Sequence, residues 1–99
     1  MKDVTKFYPI GTVLMLKDGT KRVMITGFLV ASAEEPNKVY DYSGCVFPEG
    51  VISSEHNLLF NHDQIGVVYY MGYSDEEEKN FKQKLNSALN EISKDVSNN

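Results

Sequence analysis

A single cysteine, Cys45, cannot close an internal disulfide, so nothing in the sequence calls for an oxidising compartment. Basic residues are scarce. Ten Lys and Arg stand against fourteen Asp and Glu, a net charge of −4. Phosphate backbones and anionic lipid surfaces attract clustered positive charge, so the balance argues against nucleic acid and membrane surfaces as partners. No run approaches the ~20 apolar residues that a membrane helix requires. The opening stretch, MKDVTKFYPIG, lacks the apolar core of a cleavable secretory signal. A cytoplasmic location is the resulting expectation. Internal repeats and low-complexity segments are also missing.

The chemical motifs are equally sparse. His56, His62, Asp63 and Cys45 are the metal-ligand types available, but His56 and His62 lie six apart with no cysteine pair and no His-Glu motif. Zinc sites show tighter, recognisable spacings, so no metal is expected. Cys45 with a histidine and Asp41 would be the components of a nucleophilic site. Cys45 falls mid-strand, away from any helix N-terminus or basic pocket that would lower its pKa. Asp41, Glu49 and Asp63 have no spacing that sets a shared carboxylate site. No Gly-x-Ser-x-Gly elbow and no glycine-rich phosphate cradle is present. The expectation is a protein without enzymatic activity and without a cofactor.

What is present is a soluble-domain composition, 41% hydrophobic and 24% charged over 99 residues, enough for one domain with a modest core. Residues 11–16 read as a strand. Asp18-Gly19 follows, a hairpin signal between two apolar runs. Residues 22–30 form a second strand, apolar on both faces and therefore central. Its inward set is either Val23, Ile25, Gly27 and Leu29 or Met24, Thr26, Phe28 and Val30, and Gly27 is a candidate bulge. Residues 31–38 are a loop. Residues 39–47 form a third strand, with Tyr40, Tyr42 and Val46 on the expected core face and Asp41, Ser43 and Cys45 on the other. Pro48-Glu49-Gly50 is a turn. Val51-Ile52 reads as a short strand, followed after a polar bend by Leu58-Leu59-Phe60. Asn61 is placed to cap a helical turn, and residues 66–73 form the last strand.

Ser74 and Glu77 have the spacing of a capping box, and the acids at 75–78 suit the positive end of a helix dipole. Phe81, Leu85, Ala88 and Ile92, flanked by Leu89 and Val96, recur as one apolar stripe. The predicted fold class is α+β: a small antiparallel sheet of about five strands, of which a half-open SH3-like roll is one form, followed by one C-terminal amphipathic helix. The predicted organisation is a single domain over residues 1–99, with strands across 11–73, a helix over 75–94 and a frayed tail at 97–99. The helix stripe has two destinations, the chain's own sheet or a partner.

Aromatic residues carry the richer signal. Tyr40, Tyr42, Tyr69, Tyr70 and Tyr73 concentrate on two strands and their exits. Adjacent strand residues point to opposite faces, so Tyr69 and Tyr70 are expected on opposite sides. Tyrosine suits protein–protein contact because one end of the ring is apolar and the other wet. The candidate partner-binding residues are Tyr40, Tyr42, Tyr69, Tyr70, Phe81 and Leu85.

Three blocks occur in order: IGTVLMLKDGTKRVMITGF, then YDYSGCVFPEGV, then LLFNHDQIGVVYYMGYSDEEEKNF. Over roughly residues 9–85 the chain resembles a family of small bacterial proteins of unknown function found beside type VII secretion systems and their LXG-type toxins. The resemblance implies no enzymatic activity and no catalytic residues. It implies an accessory adaptor or chaperone that binds a toxin before export. An immunity protein that blocks a toxin is the alternative, which an acidic surface would suit. The expected partner is a protein, a secreted toxin or a secretion component. A homodimer through an exposed sheet edge, formed by the first or last strand, is a further expectation.

Overall fold

The computed structural model describes residues 3–53 and 57–97, with helix side chains described as far as residue 91. Five strands and one long helix appear: β1 (Val13–Leu16), β2 (Val23–Ala31), β3 (Val39–Val46), β4 (Leu58–Phe60), β5 (Ile65–Tyr70) and α1 (Glu76–Ser97). Short 3-10 turns occupy Val4–Lys6 and His62–Gln64. This is the expected α+β class. The helix runs beyond the predicted 75–94 and includes Ser97. The predicted tail at Asn98 and Asn99 lies outside the described residues, as does His56. The chain divides into two compact units, Tyr8–Tyr73, which holds the sheet, and Met1–Phe7 with Ser74–Asn99.

In the sheet unit the strand order is β4-β3-β2-β1-β5, with every pairing antiparallel. β1 to β4 make a meander, and β5 returns to pair with β1, leaving an open sheet edged by β4 and β5. β2 is the middle strand, as its two apolar faces predict. β1 is not an edge, because β5 covers its far side.

The core lies on the face carrying Leu14, Val23, Ile25, Tyr42 and Phe60, all buried. Tyr42 stacks on Phe60 with ring centroids 5.4 Å apart. Gly44 sits among them because an added Cβ would lie 2.8 Å from Val23 Cγ1 and 2.9 Å from the Met24 carbonyl oxygen. Neither predicted inward set for β2 holds along its whole length. A register shift between Ile25 and Gly27 changes the alternation there, as a bulge does. Val23 and Ile25 face the core before it, and Phe28 pairs with Tyr42 after it, with ring centroids 6.2 Å apart. The opposite face of β3 is not open either: Asp41 and Cys45 are buried beside Tyr42.

β1 and β2 pair antiparallel across Asp18-Gly19, the hairpin that the Asp-Gly signal predicts, with a ladder that stops at Leu14↔Val23 and a connection longer than two residues. Within that connection Gly19 N–H donates to the Leu16 carbonyl, while Leu16 pairs with Ile65 on β5. Val51 and Ile52 form no strand and are exposed. At the far end of β5, Gly72 passes close to residues 10–12. Its N–H donates to Thr12 Oγ1 at 3.0 Å, and a Cβ there would sit 2.3 Å from the Ile10 carbonyl oxygen.

In the other unit, Asp75 rather than Ser74 caps the helix: its carboxylate accepts from the Glu78 N–H at 2.9 Å. Ser74 Oγ donates instead to the Glu78 carboxylate. The covered face is also rotated from the predicted stripe. Glu78, Lys82, Leu85, Asn86 and Leu89 are buried or half-buried, whereas Phe81 and Ala88 are exposed. The cause is polar. Lys82 Nζ donates to the Phe7 carbonyl at 2.7 Å and pairs with Glu78 at 3.1 Å. Asn86 Oδ1 accepts from the Val4 N–H at 3.0 Å. These side chains satisfy backbone groups of the N-terminal turn, which packs on the helix. The predicted stripe members Ile92 and Val96 lie outside the described side chains.

Candidate functional site

β5 is an apolar strand at the edge of the sheet, with no charged residue between Gln64 and Ser74. Its register with β1 runs Val13↔Tyr70, Leu14↔Val68, Met15↔Val67 and Leu16↔Ile65. β5 therefore advances two residues for one of β1 at two places, around Tyr69 and around Gly66. Each is a bulge, which resets the alternation and re-aims side chains. Ile65 and Val68 turn inward to half-buried positions, and the residues between and beyond them turn out. Tyr69 is 56% and Tyr70 67% exposed, so both reach the surface. Val67, Met71 and Tyr73 are exposed as well. The result is an uncharged run of the chain that exposes three tyrosines, a valine and a methionine. Tyrosine and methionine are the side chains enriched where proteins meet.

The remaining sequence candidates scatter. Tyr40 is half-buried under the Lys38 ammonium, which stands 5.0 Å from its ring centroid. Tyr42 is fully buried and offers a partner no surface. It was drawn into the candidate set by its neighbour Tyr40, but its ring fills the core against Phe60. Phe81 is exposed and Leu85 half-buried, both on α1. Only Tyr69 and Tyr70 of the six are brought together on β5. Val67, Met71 and Tyr73 were missed as contact residues. Gly66 was the available signal, because a glycine inside a strand marks a bulge.

A second cluster gathers at the start of the His62–Gln64 turn. The Tyr42 hydroxyl accepts from the Tyr8 N–H at 3.0 Å. The same hydroxyl is hydrogen-bonded to His62 Nδ1, 2.6 Å away. Tyr8 and His62 stack with centroids 5.2 Å apart. Asp41 accepts from the His62 backbone N–H at 2.9 Å, and its own N–H donates to Asn61 Oδ1 at 3.1 Å. Asn61 N–H in turn donates to Gln64 Oε1 at 2.7 Å. Burial holds the Tyr42 phenol well above the ordinary tyrosine value, the largest of the influences on it.

These contacts are those of a structural network. Asp41 accepts from the His62 backbone and so fixes the start of the turn. Cys45 is buried four residues along the same strand from Asp41, about 13 Å at ~3.3 Å per residue. Cys45, Asp41 and a histidine are therefore not gathered into one site. Among the described residues no three His, Cys, Asp or Glu side chains are placed to hold a metal ion.

A family model described as a domain of unknown function (DUF4176) matches residues 7–81. No curated protein and no solved structure matches the chain.

Proposed function

The chain belongs to the DUF4176 family, and from that premise we propose that it is a non-catalytic protein-binding module, an accessory adaptor or chaperone for a type VII-secreted LXG-type toxin. The observation that carries this reading is the β5 surface of Val67, Tyr69, Tyr70, Met71 and Tyr73, apolar, exposed and free of charge. Apolar residues exposed together rather than singly mark contact sites. The resemblance of the three sequence blocks to proteins encoded beside LXG toxins supplies the class of partner. The module acts in the cytoplasm, before export, and binds the toxin by side-chain contact.

The net charge of −4 favours a second reading, an immunity protein that covers the active site of a basic toxin. Co-expression separates the two. The adaptor co-purifies with the LXG-type protein of its own locus and does not protect cells from it. Protection would select the immunity reading, and absence of any complex would remove both.

A further inference from the structure

An exposed sheet edge invites another strand, but β5 is poorly made for that. Bulges at Gly66 and Tyr69 break the even ladder that an added strand would follow. The surface must be covered through its side chains. Like charge opposes contact between two copies of a chain with net charge −4. Residues 64–74, QIGVVYYMGYS, are a stretch with no charge at all. Most other exposed apolar residues are flanked by charge: Val51 and Ile52 lie between Glu49 and Glu55, Val39 follows Lys38, and Phe81 stands among Glu77, Glu78 and Lys84, whereas Ile10 stands as a single exposed side chain. The area is also sufficient. At ~150–250 Å² per tyrosine, the exposed parts of the five side chains reach at most about 600 Å² per copy. A twofold pairing that covers all of it buries up to about 1,200 Å², the range of a weak specific interface. Tyrosine faces are self-complementary in offset or edge-to-face stacking, as a twofold contact requires.

We propose that the occupant of this surface in the free protein is a second copy of the same chain, packed face to face through Val67, Tyr69, Tyr70, Met71 and Tyr73. The dimer is weak and covers the apolar surface until a toxin segment replaces the second copy. The inference rests on the reading of β5 as the contact surface.

Sedimentation velocity of the full chain alone tests it, from about 1 to 500 µM, a range that brackets micromolar affinities. The wild type shows concentration-dependent dimerisation. Tyr70→Lys puts a charge on the apolar surface of each copy and weakens it at least about tenfold, and Tyr73→Lys acts in the same direction. Ile52→Lys, at a position 70% exposed elsewhere on the sheet unit, leaves it unchanged. A wild type that stays monomeric throughout overturns the proposal, as does equal weakening by Ile52→Lys. Far-UV circular dichroism establishes that each variant is folded. A monomer that still captures the toxin sinks the dimer alone; a dimer that captures no toxin sinks the adaptor reading alone.

Discussion

Two stretches of similar composition, YDY on β3 and VVYYMGY at β5, use tyrosine in opposite ways. On β3, alternation sends Tyr42 into the core, where its ring stacks on Phe60 and its hydroxyl joins Tyr8 to His62. On β5, two bulges interrupt alternation, so the adjacent Tyr69 and Tyr70 both reach the surface. Burial of a tyrosine demands a partner for its hydroxyl, because an unmatched polar group inside is costly. β3 meets that demand with His62 and the Tyr8 backbone. The β5 hydroxyls are left to water or to a partner protein. The number of tyrosines in a strand thus says little about their use; the register against the neighbouring strand decides it.

The comparison breaks hardest at Tyr42. Tyr42→Ala empties the centre of the core and lowers stability by about 3–5 kcal/mol, read as the urea midpoint. Tyr69→Ala and Tyr70→Ala stay within about 0.5 kcal/mol of wild type, as exposed substitutions do. Equal losses at the three positions would erase the distinction.

Next in size are two changes that leave the core filled. Tyr42→Phe keeps the ring but removes the acceptor of the Tyr8 N–H and the partner of His62 Nδ1, a cost of about 1–3 kcal/mol. Gly72→Ala costs a similar ~1–3 kcal/mol by overpacking, because its Cβ would press on the Ile10 carbonyl. Thermal unfolding of the two variants reads both.

A pH titration sharpens the same contrast. The Tyr42 phenol has a raised pKa because it is buried. Its stabilising contribution is therefore complete below the ordinary value of 10.0 and is lost as pH climbs from there toward the folded value. Stability should fall above pH 10 by at most about 1.4 kcal/mol per pH unit from this group. Tyr42→Phe should flatten that part of the profile. A profile unchanged by the substitution would mean that the hydroxyl is not held as described.

The smallest effect belongs to the surface pair Lys21–Glu49, 2.6 Å apart at the β3 exit. The hydrogen bond from Lys21 lowers the Glu49 pKa, so the pair contributes above the ordinary carboxylate range and is lost as pH falls through the folded value. Exposed pairs of this kind contribute little. Glu49→Gln should leave the unfolding midpoint at pH 7 unmoved.

The class of fold was legible because it follows from local composition. Runs rich in β-branched and aromatic residues made strands, and the acidic opening and long polar face of residues 75–97 made a helix. The turn at His62–Gln64 was legible from Asn61. What escaped was set by distant partners. The helix turns Lys82 and Asn86 inward because backbone groups at Phe7 and Val4 need them, a demand invisible within the helix itself. The hairpin at Asp18-Gly19 formed, but its connection is longer than two residues because the β1–β2 ladder ends at Leu14↔Val23. The β5 surface was half legible. Its tyrosines stood out, but the bulges that expose both depend on the register with β1, which no single strand records.

The central claim is that β5 binds protein through side chains. Titration calorimetry of the proposed LXG-type partner against wild type, Tyr69→Ser/Tyr70→Ser and Val51→Ser/Ile52→Ser tests it most directly. Both pairs are exposed and uncharged, so both variants should fold alike. The account predicts that the first double variant loses at least about tenfold in affinity, ~1.4 kcal/mol, while the second binds as wild type. Retained binding by Tyr69→Ser/Tyr70→Ser, with loss in Val51→Ser/Ile52→Ser, would contradict it.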